Sequence, residues 1–138
     1  MNLNDNVNVN VKLPRRRDDR GIGTTTMFSF EKLDSYQAAI GFLALAARLI
    51  GTLPRGYGWL SDQLRRAALS QAVNLAEGAG RVGAADQRRH YAIARGSGIE
   101  CAAILSALGV LEAANPTLVA EGRTLLLRSV SLLSKMCR

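Results

Sequence analysis

From Ser29 onward the apolar residues of this chain recur every three to four positions, and helix breakers divide the pattern into four stretches. The first stretch runs from a Ser29 cap to about Gly51. Phe30, Leu33, Gln37, Ile40, Ala44 and Ala47 make one stripe on it, and Phe42, Leu45 and Leu49 make a second. A monomeric bundle needs only one such stripe, so the excess predicts burial between subunits. Leu53-Pro54-Arg55-Gly56-Tyr57-Gly58 reads as a loop. The second helix is predicted to start at Ser61-Asp62, with Ser61 as its cap, and to close on a left-handed Gly78. The third starts within residues 83–86 and reaches about Ala114, with Ile93, Ser97, Glu100, Ile104, Ala107 or Leu108, and Leu111 on one stripe. Asn115-Pro116 restarts the chain, Asn as cap and Pro in the first helical position, and the fourth helix extends to about Met136. Four helices of similar length joined by short loops predict an all-α, antiparallel up-down-up-down four-helix bundle over residues 28–138.

Residues 1–27 do not share the pattern. Asparagine and valine alternate over 6–11, but no second strand is available to pair with them. Pro14, the run Arg15-Arg16-Arg17 and the glycines Gly21 and Gly23 read as a flexible, solvated tail. A natural translation start at Met27 is a competing reading of the same boundary.

Composition supports helices, since alanine and leucine are plentiful and aromatics make up only 5%. The formal net charge is +7, and from residue 27 onward 13 basic residues still face 8 acidic ones. A polyanion or an acidic protein surface is the expected partner of such a chain. Cys101 and Cys137 have no CxxC spacing and read as reduced thiols. The N-terminal residues contain no apolar core that would make a secretory signal. The run 38–47 is half of what a bilayer crossing needs, so a cytoplasmic protein without a membrane partner is expected.

Candidate chemistry concentrates in residues 67–81, where Ser70, Asn74 and Glu77 fall on one helical face. Ser97 and Glu100 offer a polar complement on the third helix. Two carboxylates could perform acid–base work if a cleft lay between them, but no nucleophile–base pair is suggested. His90, the one imidazole, sits between arginines on what reads as a polar turn. A bundle metal site would need the Glu-x-x-His pattern, which is missing, so neither a metal nor another cofactor is expected. Gly78-Ala79-Gly80-Arg81-Val82-Gly83 matches GxGxxG but follows a helix, whereas a dinucleotide loop follows a strand. The five polar residues therefore read as a structural network where two helices cross, with Arg81 and Arg95 as counter-ions and no catalytic residue. Arg65, Arg66, Arg81, Arg88, Arg89 and Arg95 surround this stretch, and their guanidinium forks suit phosphates. With no aromatic platform between them, sequence-independent contact is expected.

These residues resemble a known family. Ala67-Ala68-Leu69-Ser70, Asn74-Leu75-Ala76-Glu77-Gly78, Arg81, Tyr91-Ala92-Ile93-Ala94-Arg95-Gly96-Ser97 and Glu100 are similar to the signature of the 23S rRNA intervening-sequence proteins. Phe30-Glu31-Lys32-Leu33 resembles that family's opening helix, and Tyr57-Gly58-Trp59-Leu60 its approach to the central motif. Gln71 stands where the family usually has an aliphatic residue, and Gly83 where it usually has a Ser or Thr cap. The resemblance implies a four-helix bundle assembled into a homo-oligomeric ring, typically a pentamer. Accessory proteins of diversity-generating retroelements share the fold, and these bind nucleic acid and a reverse transcriptase. The expectation is a non-enzymatic, basic oligomer that binds RNA or DNA; the alternative is a structural module that binds an acidic protein.

Overall fold

A computed structural model describes residues 27–138 of the chain. The tail read at 1–27, with its arginine run, lies outside the described residues apart from Met27. A short 3-10 turn, Ser29–Lys32, precedes four helices: α1 (Asp34–Gly51), α2 (Gly58–Gly80), α3 (Ala84–Val110) and α4 (Pro116–Met136). Consecutive helices pack on one another and α4 closes back on α1, which makes a four-helix all-α bundle with no strand among the described residues. Cross-contacts fix the antiparallel sense. Ser70 meets Ser97 and Asn74 meets His90 between α2 and α3, and Ser35 meets Met136 between α1 and α4.

The starts and stops show which local signals prevailed. Asn115 caps α4 as expected, its Oδ1 accepting the Thr117 N–H at 2.8 Å. Ser29 does not cap α1. It opens the 3-10 turn instead, and Leu33 leads into the helix in an extended conformation. α2 begins three residues before Ser61, because the Tyr57 carbonyl accepts the N–H groups of Leu60 and Ser61 without any side-chain cap. Gly78 is not a C-cap either: α2 runs on to Gly80 and ends in an extended Arg81. α3 stops at Val110 rather than near Ala114. Glu112 takes a left-handed φ of 51°, and the N–H groups of Glu112 and Ala113 close on the carbonyls of Gly109 and Leu108. That is a Schellman ending made without glycine.

The core has two apolar clusters. Phe42, Leu49, Leu64, Leu105, Leu108 and Leu126 lie towards the α1–α2 loop, and Ala39, Ala72, Leu75, Tyr91, Ala94 and Leu133 towards the other end. Between them Gln71 is fully buried and donates through Nε2 to Ser129 Oγ at 2.8 Å, across the bundle from α2 to α4. Helix phases differ from the expected stripes. On α1 the second stripe enters the core, while Phe30, Leu33, Gln37 and Ile40 are half-buried and Ala44 and Ala47 are exposed. On α3 the buried stripe passes through Tyr91, Ala94, Ser97, Cys101, Leu105 and Leu108, leaving Ile93, Glu100 and Leu111 exposed. α3 is also long and apolar enough to cross a membrane by length and composition, which the short 38–47 run had not suggested. In this fold it packs between α2 and α4.

Close approach of α3 to its neighbours explains two of the helical glycines. A Cβ on Gly78 would lie 2.6 Å from Tyr91 Cε1, and one on Gly98 would run into the Gln71 amide and stand 3.0 Å from Val130 Cγ2. Gly96, on the same helix, is instead exposed and has nothing within 4 Å of such an atom. Gly96→Ala should therefore raise the unfolding free energy by roughly 0.5–1 kcal/mol. Gly78→Ala should lower it by about 1–3 kcal/mol through overpacking. Urea denaturation checks both, and equal losses would contradict the assigned approach.

Candidate functional site

The expected polar face forms where α2 and α3 cross, with a different membership. Ser70 Oγ and Ser97 Oγ lie 2.9 Å apart. Asn74 donates through Nδ2 to the Ser70 carbonyl at 2.9 Å and reaches Ser70 Oγ at 3.2 Å. Its Oδ1 then faces His90 Nδ1 at 3.1 Å, so that nitrogen carries a proton. Glu77 Oε2 lies 3.3 Å from the same nitrogen and Asp86 Oδ1 3.9 Å from Nε2. The seam therefore runs Ser97, Ser70, Asn74, His90, Glu77 across two helices.

His90 is the member that sequence reasoning missed. It is 7% exposed and lies inside α3, not on a turn. The signal was its place four positions before Ala94 and seven before Ser97, which puts it on the inward stripe once α3 starts at Ala84. Glu100, by contrast, does not join the seam. It is exposed and accepts a hydrogen bond from Gln63 Nε2 at 3.1 Å. Glu77 is a half-open member, 48% exposed and shared with Arg81 at 3.8 Å.

The arginines separate into three groups. Arg65 pairs with Asp62 at 3.3 Å, Arg81 with Asp86 at 3.5 Å and Arg89 with Asp86 at 3.9 Å, on an exposed rim made by α2, the α2–α3 turn and the first turns of α3. Arg66 and Arg88 are exposed and meet no carboxylate among the described residues. Arg95 is not a counter-ion of the seam: its Nε donates to Ser134 Oγ at 2.8 Å, on the α4 side of α3.

The arrangement joins helices more readily than it does chemistry. His90 Nδ1 is held by Asn74 and Glu77 rather than by a serine hydroxyl. Burial, with the Glu100 charge added, pushes the Cys101 thiol up to about 12, which keeps it protonated and inert. Among the described residues no group of three or more His, Cys, Asp or Glu is placed to hold a metal ion.

Removing a part-buried member of the seam leaves its partners unmatched, whereas removing an exposed residue does not. Asn74→Ala should cost about 1–3 kcal/mol of unfolding free energy. Glu100→Ala should stay within about 0.5 kcal/mol of the parent. Denaturant midpoints at constant m-value measure both, and a large loss from Glu100→Ala would contradict the seam drawn here.

A comparison with curated proteins finds no match. The family model for the 23S rRNA-intervening sequence protein matches residues 31–135, taking in α1, α2 and α3 entire and nearly all of α4. With the four-helix architecture and the Ser70–Glu77 and His90–Ser97 seam inside that span, the chain belongs to the family of 23S rRNA-intervening sequence proteins.

Proposed function

We propose that the chain is a non-catalytic, self-assembling scaffold of the cytoplasm whose arginine rim holds RNA or DNA through phosphate contacts. The observation that supports this most is the state of the rim. Arg66 and Arg88 are exposed without a carboxylate partner among the described residues, and Arg65 and Arg89 remain 60% and 70% exposed within theirs. Exposed ion pairs of this kind contribute little, so a phosphate can replace the carboxylate at small cost. Guanidinium forks then bind the phosphate bidentately, without reading bases.

Assembly draws support from a second feature. Leu69 and Val73 on α2 are 53% and 44% exposed, and Ile93 on α3 is 41% exposed, all beside the polar seam. Apolar side chains grouped on a helix face are what an interface between copies covers. A pentameric ring is the assembly that the family resemblance suggests, and it would repeat the basic rim around its circumference. The free thiols Cys101 and Cys137 suit a reducing compartment. A reverse transcriptase is the protein partner suggested by the likeness to retroelement accessory proteins, and co-purification with the chain tests it.

Binding of a labelled, random-sequence RNA and of a DNA duplex, followed by fluorescence anisotropy, tests the phosphate reading. Affinity should fall about 10- to 100-fold between 50 and 200 mM salt, and Arg66→Glu with Arg88→Glu should flatten that slope. No binding at low salt would overturn the reading. Light scattering tests assembly: an oligomer is expected, which Val73→Glu should dissociate, and a monomeric parent would defeat the ring.

A further inference from the structure

The α4 side of α3 is built differently from its α2 side. Ile99 and Ala102 from α3 and Leu126, Leu127 and Val130 from α4 line an apolar groove. Leu126 forms its floor, while Ile99 and Leu127 remain 44% and 63% exposed at its walls. An arginine stands at each end. Arg95 reaches across from α3 to Ser134, and Arg123 reaches back from α4 to Ser106 at 3.3 Å. Neither guanidinium meets a carboxylate among the described residues, unlike Arg65, Arg81 and Arg89 on the rim.

The spacing of this frame is regular. Arg95 and Ser106 are eleven positions apart on α3, and Ser134 and Arg123 are eleven apart on α4. Eleven residues make three helical turns, so both members of each pair fall on one face, and the two arginines lie about 16 Å apart along the groove. The nearest acidic side chain on α3, Glu100, is turned to α2 and Gln63. The groove is thus apolar along its length and positive at both ends.

The geometry points to a docking site for an acidic amphipathic helix of a protein partner, with carboxylates at i and i+11 and aliphatic side chains at i+4 and i+7. Those four positions share one face of a helix. The aliphatic pair covers Ile99, Leu127 and Val130, and each carboxylate meets one guanidinium in a bidentate, charge-assisted pair. The serines hold the arginines extended over the groove ends, so little side-chain freedom remains to be lost on binding. This site shares no residue with Arg66 and Arg88 and does not depend on phosphate binding.

The test uses the full chain and a labelled fifteen-residue helical peptide with Glu at i and i+11 and Leu at i+4 and i+7, together with a version carrying Lys in place of both Glu. The acidic peptide should bind at least tenfold more tightly than the lysine version. The double variant Arg95→Glu, Arg123→Glu should invert that preference. Leu127→Ser, at an exposed position, should weaken the acidic peptide about tenfold without altering the circular dichroism spectrum. Equal binding of the two peptides, or a preference unmoved by the charge swap, would overturn the proposal. So would failure of the parent to bind while Leu127→Ser lowers its mass in light scattering, because a second copy of the chain would then fill the groove.

Discussion

The hydrogen bond from Gln71 to Ser129 is the constraint on which the rest of the bundle depends. It spans the interior from α2 to α4, between one apolar cluster built on Phe42 and Leu105 and another built on Leu75 and Leu133. Ser129 passes the interaction on to the Leu126 carbonyl at 3.1 Å. Among the described residues no donor meets Gln71 Oε1. A buried acceptor left unmatched costs about 1–3 kcal/mol, against about 1 kcal/mol from an ordinary hydrogen bond. Through its protein partners alone the layer therefore adds little net stability. Another rotation of α2 would leave the whole amide in hydrocarbon with no hydroxyl in reach, so the layer fixes phase and register. Gly98 makes room for it, since a side chain there would occupy the space of the Gln71 amide.

Around that layer α3 presents two unlike sides. Towards α2 it carries the seam of Ser97 and His90, whose hydrogen bonds are directional and fix one helix against the other. Towards α4 it carries Ile99 and Ala102, whose outer surface is left as a groove. The polar residues that looked most like chemistry hydrogen-bond to one another across the two helices. Arg66 and Arg88 on the rim, and Arg95 and Arg123 at the groove ends, meet no carboxylate among the described residues.

Much of this was legible from periodicity and punctuation. Asn115-Pro116 fixed the start of α4, the glycine-rich turn separated α2 from α3, and the helix count followed. Helix phase was harder to read. On α3 the inward stripe passes through small and polar residues, His90, Ala94, Ser97, Gly98 and Cys101, so the expected stripe kept Ser97 but took Ile93 and Glu100 in place of Ala94 and Cys101, one step round the helix. His90 was hidden because its charged neighbours Arg88 and Arg89 face outward while the imidazole turns in. Gly78 looked like a terminus because glycine is the usual C-cap. Here it serves a tertiary purpose, the seating of Tyr91 against α2, which local sequence does not record. Ser70, Asn74, Glu77 and Ser97 were found from spacing alone, since residues three and four apart share a face whatever their chemistry. Glu100 fits the same spacing but turns towards Gln63, a contact set by the neighbouring helix.

The most direct measurement is the unfolding free energy and the NMR spectrum of the double variant Gln71→Leu, Ser129→Ala, which removes both halves of the buried bond. Replacing both partners by apolar groups is close to neutral or stabilising when the bond only selects a conformation. The double variant should have a denaturation midpoint equal to or above that of the parent, with broadened amide resonances from loss of a single register. A loss of more than about 1 kcal/mol with a sharp, well-dispersed spectrum would contradict it, because the bond would then be an ordinary contributor to stability and register would be set elsewhere.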